Sequence, residues 1–182
     1  MNQPSGRIIE VGICIASLDT IGSPILKSWY IDPEEEVTEY ITKLTGITNE
    51  DIRSHSVKHE VVVRELSDLI VENNCFINPV TWGGGDSQLL LDEFKKYSTE
   101  PFNHFGRRWL DVKTMYIFLE MSKGKFGKGG LKSAMANRKM QFIGDAHRAS
   151  VDAHNTLRLF FNLIETQGKV YDVVNSMTSL NL

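Results

Sequence analysis

The sequence predicts an α/β layer structure with a mixed sheet, and two observations carry that prediction. Two strand-like runs open the chain around a turn that contains Gly and Pro. Helical patterns and short apolar strand-like runs then alternate to the C-terminus.

The first run is Arg7 to Ala16 and the second is Ile25 to Ile31. Asp19 to Pro24 lies between them, so an antiparallel hairpin is expected. Pro33-Glu34-Glu35-Glu36 reads as a helix start, with carboxylates near the positive end of the helix dipole. Thr48-Asn49-Glu50-Asp51 has the form of a capping box with Asp in place of Glu. Val61, Leu66, Leu69 and Ile70 recur at helical spacing between Val57 and Asn73. Cys75 to Trp82 reads as a buried strand, and Asp86 to Tyr97 as a helix. A short strand from Trp109 to Val112 leads into a helix from Lys113 to Met121. Gly129-Gly130 breaks the chain before a helix from about Leu131 to Arg138, and a long helix runs from near His147 to about Glu165.

A chain of 182 residues suits a single domain with a real core, here 1–182, and no repeat or linker divides it. No apolar run is long enough to span a bilayer, and MNQPSGRIIE lacks the apolar stretch of a secretory signal. A cytoplasmic protein with no membrane partner is therefore expected. Cys14 and Cys75 lie in apolar runs without zinc-site spacing and read as buried free thiols. A net charge of −3 argues against a broad grip on duplex phosphates, which needs a strongly basic face. It leaves room for an enzyme that holds a few nucleotides at a strand end.

Three segments carry chemistry. In Thr81-Trp82-Gly83-Gly84-Gly85-Asp86 an apolar strand ends, three glycines turn the chain and an aspartate opens a helix. Active sites of open α/β sheets collect at such strand ends, and Asp86 reads as a site carboxylate or as a helix N-cap. Trp82 reads as core or as a platform for substrate. In Asp145 to Ala153, His147 and Asp152 converge if His147 sits in the loop or first turn and Asp152 lies one turn inside. A neutral imidazole there takes a proton from water, and a carboxylate there holds a hard cation. Asp145 and Ser150 read as caps or solvent-facing residues, and His154 as surface. Lys123 to Lys132, KGKFGKGGLK, reads as a solvated loop or as a phosphate contact. His55 and His59 stand at i, i+4 spacing without the Glu of a metalloprotease helix and read as helix surface. No P-loop ending and no Gly-x-Ser-x-Gly elbow occurs.

Five segments in this order resemble the DEDDh (DnaQ-like) 3'-5' exonucleases, most closely the branch with ERI-type and KapD-like enzymes. RIIEVGICI is similar to the family's second strand, and LTGIT (Leu44 to Thr48) to its turn near the terminal nucleotide. TWGGGD is similar to its second motif, WLDVKTMY (Trp109 to Tyr116) to the next strand and helix, and HRASVD to its third motif. The resemblance covers nearly the whole chain and implies a ribonuclease H-like mixed sheet flanked by helices.

It also implies two-metal hydrolysis of phosphodiesters at 3' ends of single-stranded RNA or DNA, with two magnesium or manganese ions. His147 would deprotonate the attacking water, and Asp86 and Asp152 would hold metal. Substrate contacts would come from Asn2, Thr45, Gly46 and Trp82, and a homodimer is possible, as in many relatives.

One departure stands out. The family's first motif, Asp-x-Glu on its first strand, falls roughly ten residues before Ile8, and no Asp or Glu precedes Glu10. The first central strand is therefore expected to be missing, and the chain as written to be a poor nuclease. The natural start would then lie upstream, or the product is a defective relative. The competing functional reading is an inactive nucleic-acid-binding or interaction module on the same fold.

Overall fold

The computed structural model describes residues 6–127 and 129–179. Strands β1 (Glu10–Ile15) and β2 (Ile25–Ile31) form the expected antiparallel hairpin, in register from Glu10 against Tyr30 to Ile15 against Ile25. Helices α1 (Glu39–Thr45) and α2 (Asn49–His55) follow, then β3 (Ser56–Val57) and α3 (His59–Glu72). β3 pairs parallel to β2. Next come β4 (Val80–Thr81), α4 (Asp86–Tyr97), β5 (Leu110–Asp111) and α5 (Val112–Met121), with β4 and β5 parallel. Helices α6 (Leu131–Asn137) and α7 (Ala149–Ser179) complete the order.

Parallel and antiparallel pairs are both present, as a mixed sheet requires. Among the described residues, however, the sheet stands in two pieces, β1-β2-β3 and β4-β5. Helix α7 packs against β1, β2 and β4 and so bridges the two pieces.

Period-2 alternation divides β2 between two cores, Trp29 and Ile31 facing one and Tyr30 the other. Val11, Trp29 and Ile31 pack against Val62, Val63 and Leu66 of α3 and Phe94 of α4. Ile9, just ahead of β1, joins Ile41 of α1 and Ile52 of α2. A third cluster unites Val112 and Tyr116 of α5, Ala134 and Met135 of α6, and Leu159 and Leu163 of α7. Helix α2 begins on the expected capping box. The Thr48 hydroxyl accepts from the Asp51 N–H at 3.1 Å, and Asp51 Oδ2 accepts from the Thr48 N–H at 2.8 Å.

Four local expectations change. Pro33 to Glu36 starts no helix, because Glu34 adopts φ +61° and its N–H goes to Asp32 Oδ1 at 2.8 Å. The helix begins instead behind Thr38, whose hydroxyl accepts from the Ile41 N–H. The strand expected over Cys75 to Trp82 shrinks to Val80–Thr81, the residues that meet β5, and Phe76 stays 69% exposed. Backbone without a neighbouring strand gains no ladder to hold it extended. Helix α7 starts two residues later than expected and runs on to Ser179. His59 is 8% exposed rather than on the surface. Its Nε2 meets Glu93 Oε2 at 3.0 Å and its ring stacks on Tyr97.

Glu93 is the hub of that cluster. It also accepts from the Ile8 N–H at 2.9 Å and from Arg7 Nε at 3.3 Å. Burial opposes its charge, but the His59 contact, the Ile8 N–H and the Arg7 guanidinium outweigh burial and hold its pKa below the ordinary 4.5. A depressed folded pKa stabilises the fold above the unfolded value and loses that contribution as pH falls through the folded one. Urea midpoints of the wild type are therefore expected to drop below about pH 4.5, and Glu93→Gln to flatten that limb. Superimposable pH profiles for the two proteins would refute the assignment.

Both cysteines are free thiols, and burial pushes Cys14 up to about 12. No helix among the described residues is long and apolar enough to cross a membrane.

Candidate active site

The space between the two pieces of sheet is a cleft of about 1180 Å3. All six residues of β1 line one side, and Asn78 to Trp82 line the other. Asp86, His147 and Asp152 all reach it.

Asp86 enters at the end of the glycine turn. The N-cap of α4 is Gly85, and Asp86 is the first helical residue, so its carboxylate does not fill the capping position. Asp86, the first residue of α4, lies at the cleft, and with it the N-terminal end of the helix dipole. The turn is held by a residue that the sequence reading passed over. Asp111 Oδ1 accepts from the Gly83 N–H at 2.9 Å and from the Lys113 N–H at 2.9 Å, and Oδ2 accepts from the Thr114 hydroxyl at 2.7 Å. Burial raises the Asp111 pKa, but these donors outweigh it and leave it lowered. Asp111→Ala is expected to cost about 1 kcal/mol, as for other N-caps, and to loosen the Gly83 turn. Thermal denaturation and amide exchange at Gly83 check this; unchanged exchange there would break the link to the turn.

His147 and Asp152 meet as their spacing allows. His147 has φ +68°, a left-handed conformation that sets it outside α7 and exposes it. Asp152 lies one turn inside α7, and its N–H donates to the Arg148 carbonyl at 2.9 Å. The His147 N–H donates to Asp152 Oδ1 at 3.3 Å. Burial raises the Asp152 pKa against that hydrogen bond.

The frame of this corner comes from β1. Glu10, its side chain 1% exposed, accepts from Arg148 Nη2 at 2.9 Å and from the Ala149 N–H at 2.8 Å. Arg148 Nη2 also donates to the Tyr30 hydroxyl at 2.8 Å, and Glu10 holds the guanidinium above its usual pKa. Gly12 lets α7 press onto β1, since a Cβ there would collide with Ser150 N and Ala149 C. A charged residue inside the apolar run RIIEVGICI was the available signal for Glu10.

The other expected site residues divide. Trp82 lines the cleft and also packs on the third core, its ring 6.3 Å from that of Tyr116. Thr45 is buried, donating to the Ile41 carbonyl at 2.8 Å and accepting from the Ile47 N–H at 3.0 Å. Gly46 caps α1 at φ +76°. Neither lines the cleft. Asn2 lies outside the described residues. His154 is half-buried rather than on the surface, with its pKa lowered by burial.

The family resembled above uses divalent metal ions. Among the described residues no three His, Cys, Asp or Glu side chains cluster closely enough to hold one. A hard cation takes six or more oxygens at short range. Asp86 and Asp152 therefore do not make a two-metal centre by themselves.

Three comparisons bear on identity. The zebrafish (Danio rerio) protein ERI1 exoribonuclease 2 is 26% identical to this chain, over 71% of this chain and 26% of that protein. The chain thus spans about a quarter of that relative. The crystal structure of the nuclease domain of 3'hExo, a DEDDh family member, bound to rAMP, matches with a TM-score of 0.70. It is 16% identical and covers 87% of this chain and 80% of that one. The likeness bears out the ribonuclease H-like α/β fold. The RNase T family model, described as Exonuclease, matches residues 1–160, and the chain belongs to that family.

Proposed function

We propose that this chain is a 3'-5' exonuclease domain, spanning 1–182, that removes nucleotides from 3' ends of single-stranded RNA or DNA. The observation that supports this most is that Asp86, His147 and Asp152 all line one cleft beside the strand ends. The similar structure was determined with rAMP bound, which fits a nucleotide in such a cleft. The His147 imidazole, exposed at the cleft, serves as general base for the attacking water. Asp152 steadies the His147 backbone, and Asp86 presents a second carboxylate. Magnesium or manganese, two ions in the complete site, would take Asp86 and Asp152 together with ligands from an added Asp-x-Glu strand. Free cysteines fit a cytoplasmic setting, and open strand edges fit a homodimer.

The test is a labelled single strand incubated with magnesium or manganese. Mononucleotides released one at a time from the 3' end are expected; internal cuts, or release from the 5' end, would overturn the reading.

One observation favours a second reading, a binding module without chemistry. It is the lack of a three-donor cluster among the described residues. Calorimetry with manganese discriminates the two. Single-strand binding without metal binding or turnover would establish the module.

A further inference from the structure

The loop between α5 and α6, residues 122–130, plays no part in the chemistry above. Its composition is unlike the rest of the chain. Four lysines and no acid fall between Lys123 and Lys132, in a protein whose net charge is −3. The loop is also shaped by its contacts. The Lys125 N–H donates to the Glu120 carbonyl at 2.9 Å, and Gly124 and Gly129 take φ +69° and +99°. Gly127 sits flat on α5, where a Cβ would lie 3.1 Å from Tyr116 Cε1 and 3.2 Å from Ile117 Cα. Phe126, its neighbour, is 81% exposed. Lys123 is engaged by Glu120 at 2.8 Å, whereas Lys125 and Lys132 are exposed, the Lys132 ammonium 6.0 Å from the centre of the Phe142 ring.

The loop also adjoins the cleft. Leu131, which follows it directly, lines the cleft that holds Asp86, His147 and Asp152. Tyr116, the seat of Gly127, meets Trp82 of the glycine turn. An exposed aromatic ring among cations and glycines is the chemistry of single-strand binding. The ring takes any base by stacking, and the cations track the phosphates without reading sequence.

We propose that Phe126, Lys125 and Lys132 form a rim subsite for single-stranded nucleic acid, holding nucleotides on the 5' side of the one at the cleft. The subsite rests on the nuclease reading and gives it a length preference. A strand long enough to reach Phe126 gains a stacked base and two phosphate contacts, and a trinucleotide gains neither.

The experiment uses the whole chain with His147→Ala, which holds substrate without turning it over. Anisotropy reads the affinity for 5'-labelled strands of three and ten nucleotides. Phe126→Ala is expected to weaken the ten-nucleotide strand about tenfold, the loss of one stacked base, and to leave the trinucleotide unchanged. Lys125→Gln with Lys132→Gln should flatten the salt dependence of the longer strand by about 1.4 in log–log slope. Unchanged affinity and slope for the longer strand would overturn the subsite, as would equal losses on both strands. Tighter binding of a polyglutamate peptide than of the decanucleotide, lost in the same variants, would give the loop to an acidic protein instead. A parent that binds neither strand sinks the nuclease reading along with the subsite. A parent that prefers the longer strand, unaffected by these substitutions, sinks the subsite alone.

Discussion

Placing an Asp-x-Glu strand ahead of Met1 is expected to raise 3'-5' degradation about a thousandfold over the 182-residue chain. The structural ground is the divided sheet. Among the described residues nothing pairs with β1 on the side away from β2, and the cleft there is about 1180 Å3. All six residues of β1 face that cleft. Helix α7 lies beneath both edges, and Leu66 of α3 and Leu89 of α4 also line the gap.

A strand seated there would bring its carboxylates into the cleft that Asp86 and Asp152 already line. Metal-ion stabilisation of a transition state is worth several kcal/mol, and about 4 kcal/mol corresponds to a thousandfold. The two proteins are compared on one single-stranded substrate with magnesium or manganese, with metal binding followed by calorimetry. Equal rates would sink the prediction. A rise in thermal stability without metal binding would show that the strand fits but supplies no ligands.

Replacing His147 by Ala in the strand-completed protein is expected to slow turnover by 10²- to 10⁴-fold, the usual contribution of a positioned general base. Metal binding should stay largely intact, because the proposed ligands are carboxylates. The substitution should also spare the fold. His147 is exposed, and its hydrogen bond to Asp152 comes from its backbone N–H, which Ala keeps. Its left-handed backbone is a separate matter: Ala tolerates φ +68° poorly, so His147→Asn serves as the conservative control. Asn accepts that conformation and cannot act as the base. Loss of rate in both variants assigns the effect to the imidazole. A near-normal rate in the Asn variant would refute the role.

Much of the candidate site was legible because its signals are local. A Gly-Gly-Gly turn before Asp86 and a His five residues ahead of an Asp need only their own backbone to be recognised. The capping box at Thr48 is equally local, since both partners lie within four residues. What escaped was long-range. Glu10 acts on Arg148 across 138 positions, and Glu93 on His59 across 34. Nothing near either residue announces its partner. Asp111 was passed over because its own segment reads as an ordinary strand-to-helix junction. Its bond to Gly83 exists only once β4 and β5 lie side by side.

The sequence by itself determined the hairpin, the helices that carry the motifs, and the identity of Asp86, His147 and Asp152 as candidates. Periodicity and caps are written residue by residue, so they survive any packing consistent with them. Tertiary structure alone decided three things. It buried His59 against Glu93, shortened the run before Trp82 to the two residues that β5 covers, and clamped the start of α7 onto β1 through Glu10 and Gly12. Each of these depends on whether a buried polar group or a strand edge finds its partner, and that partner lies elsewhere in the chain.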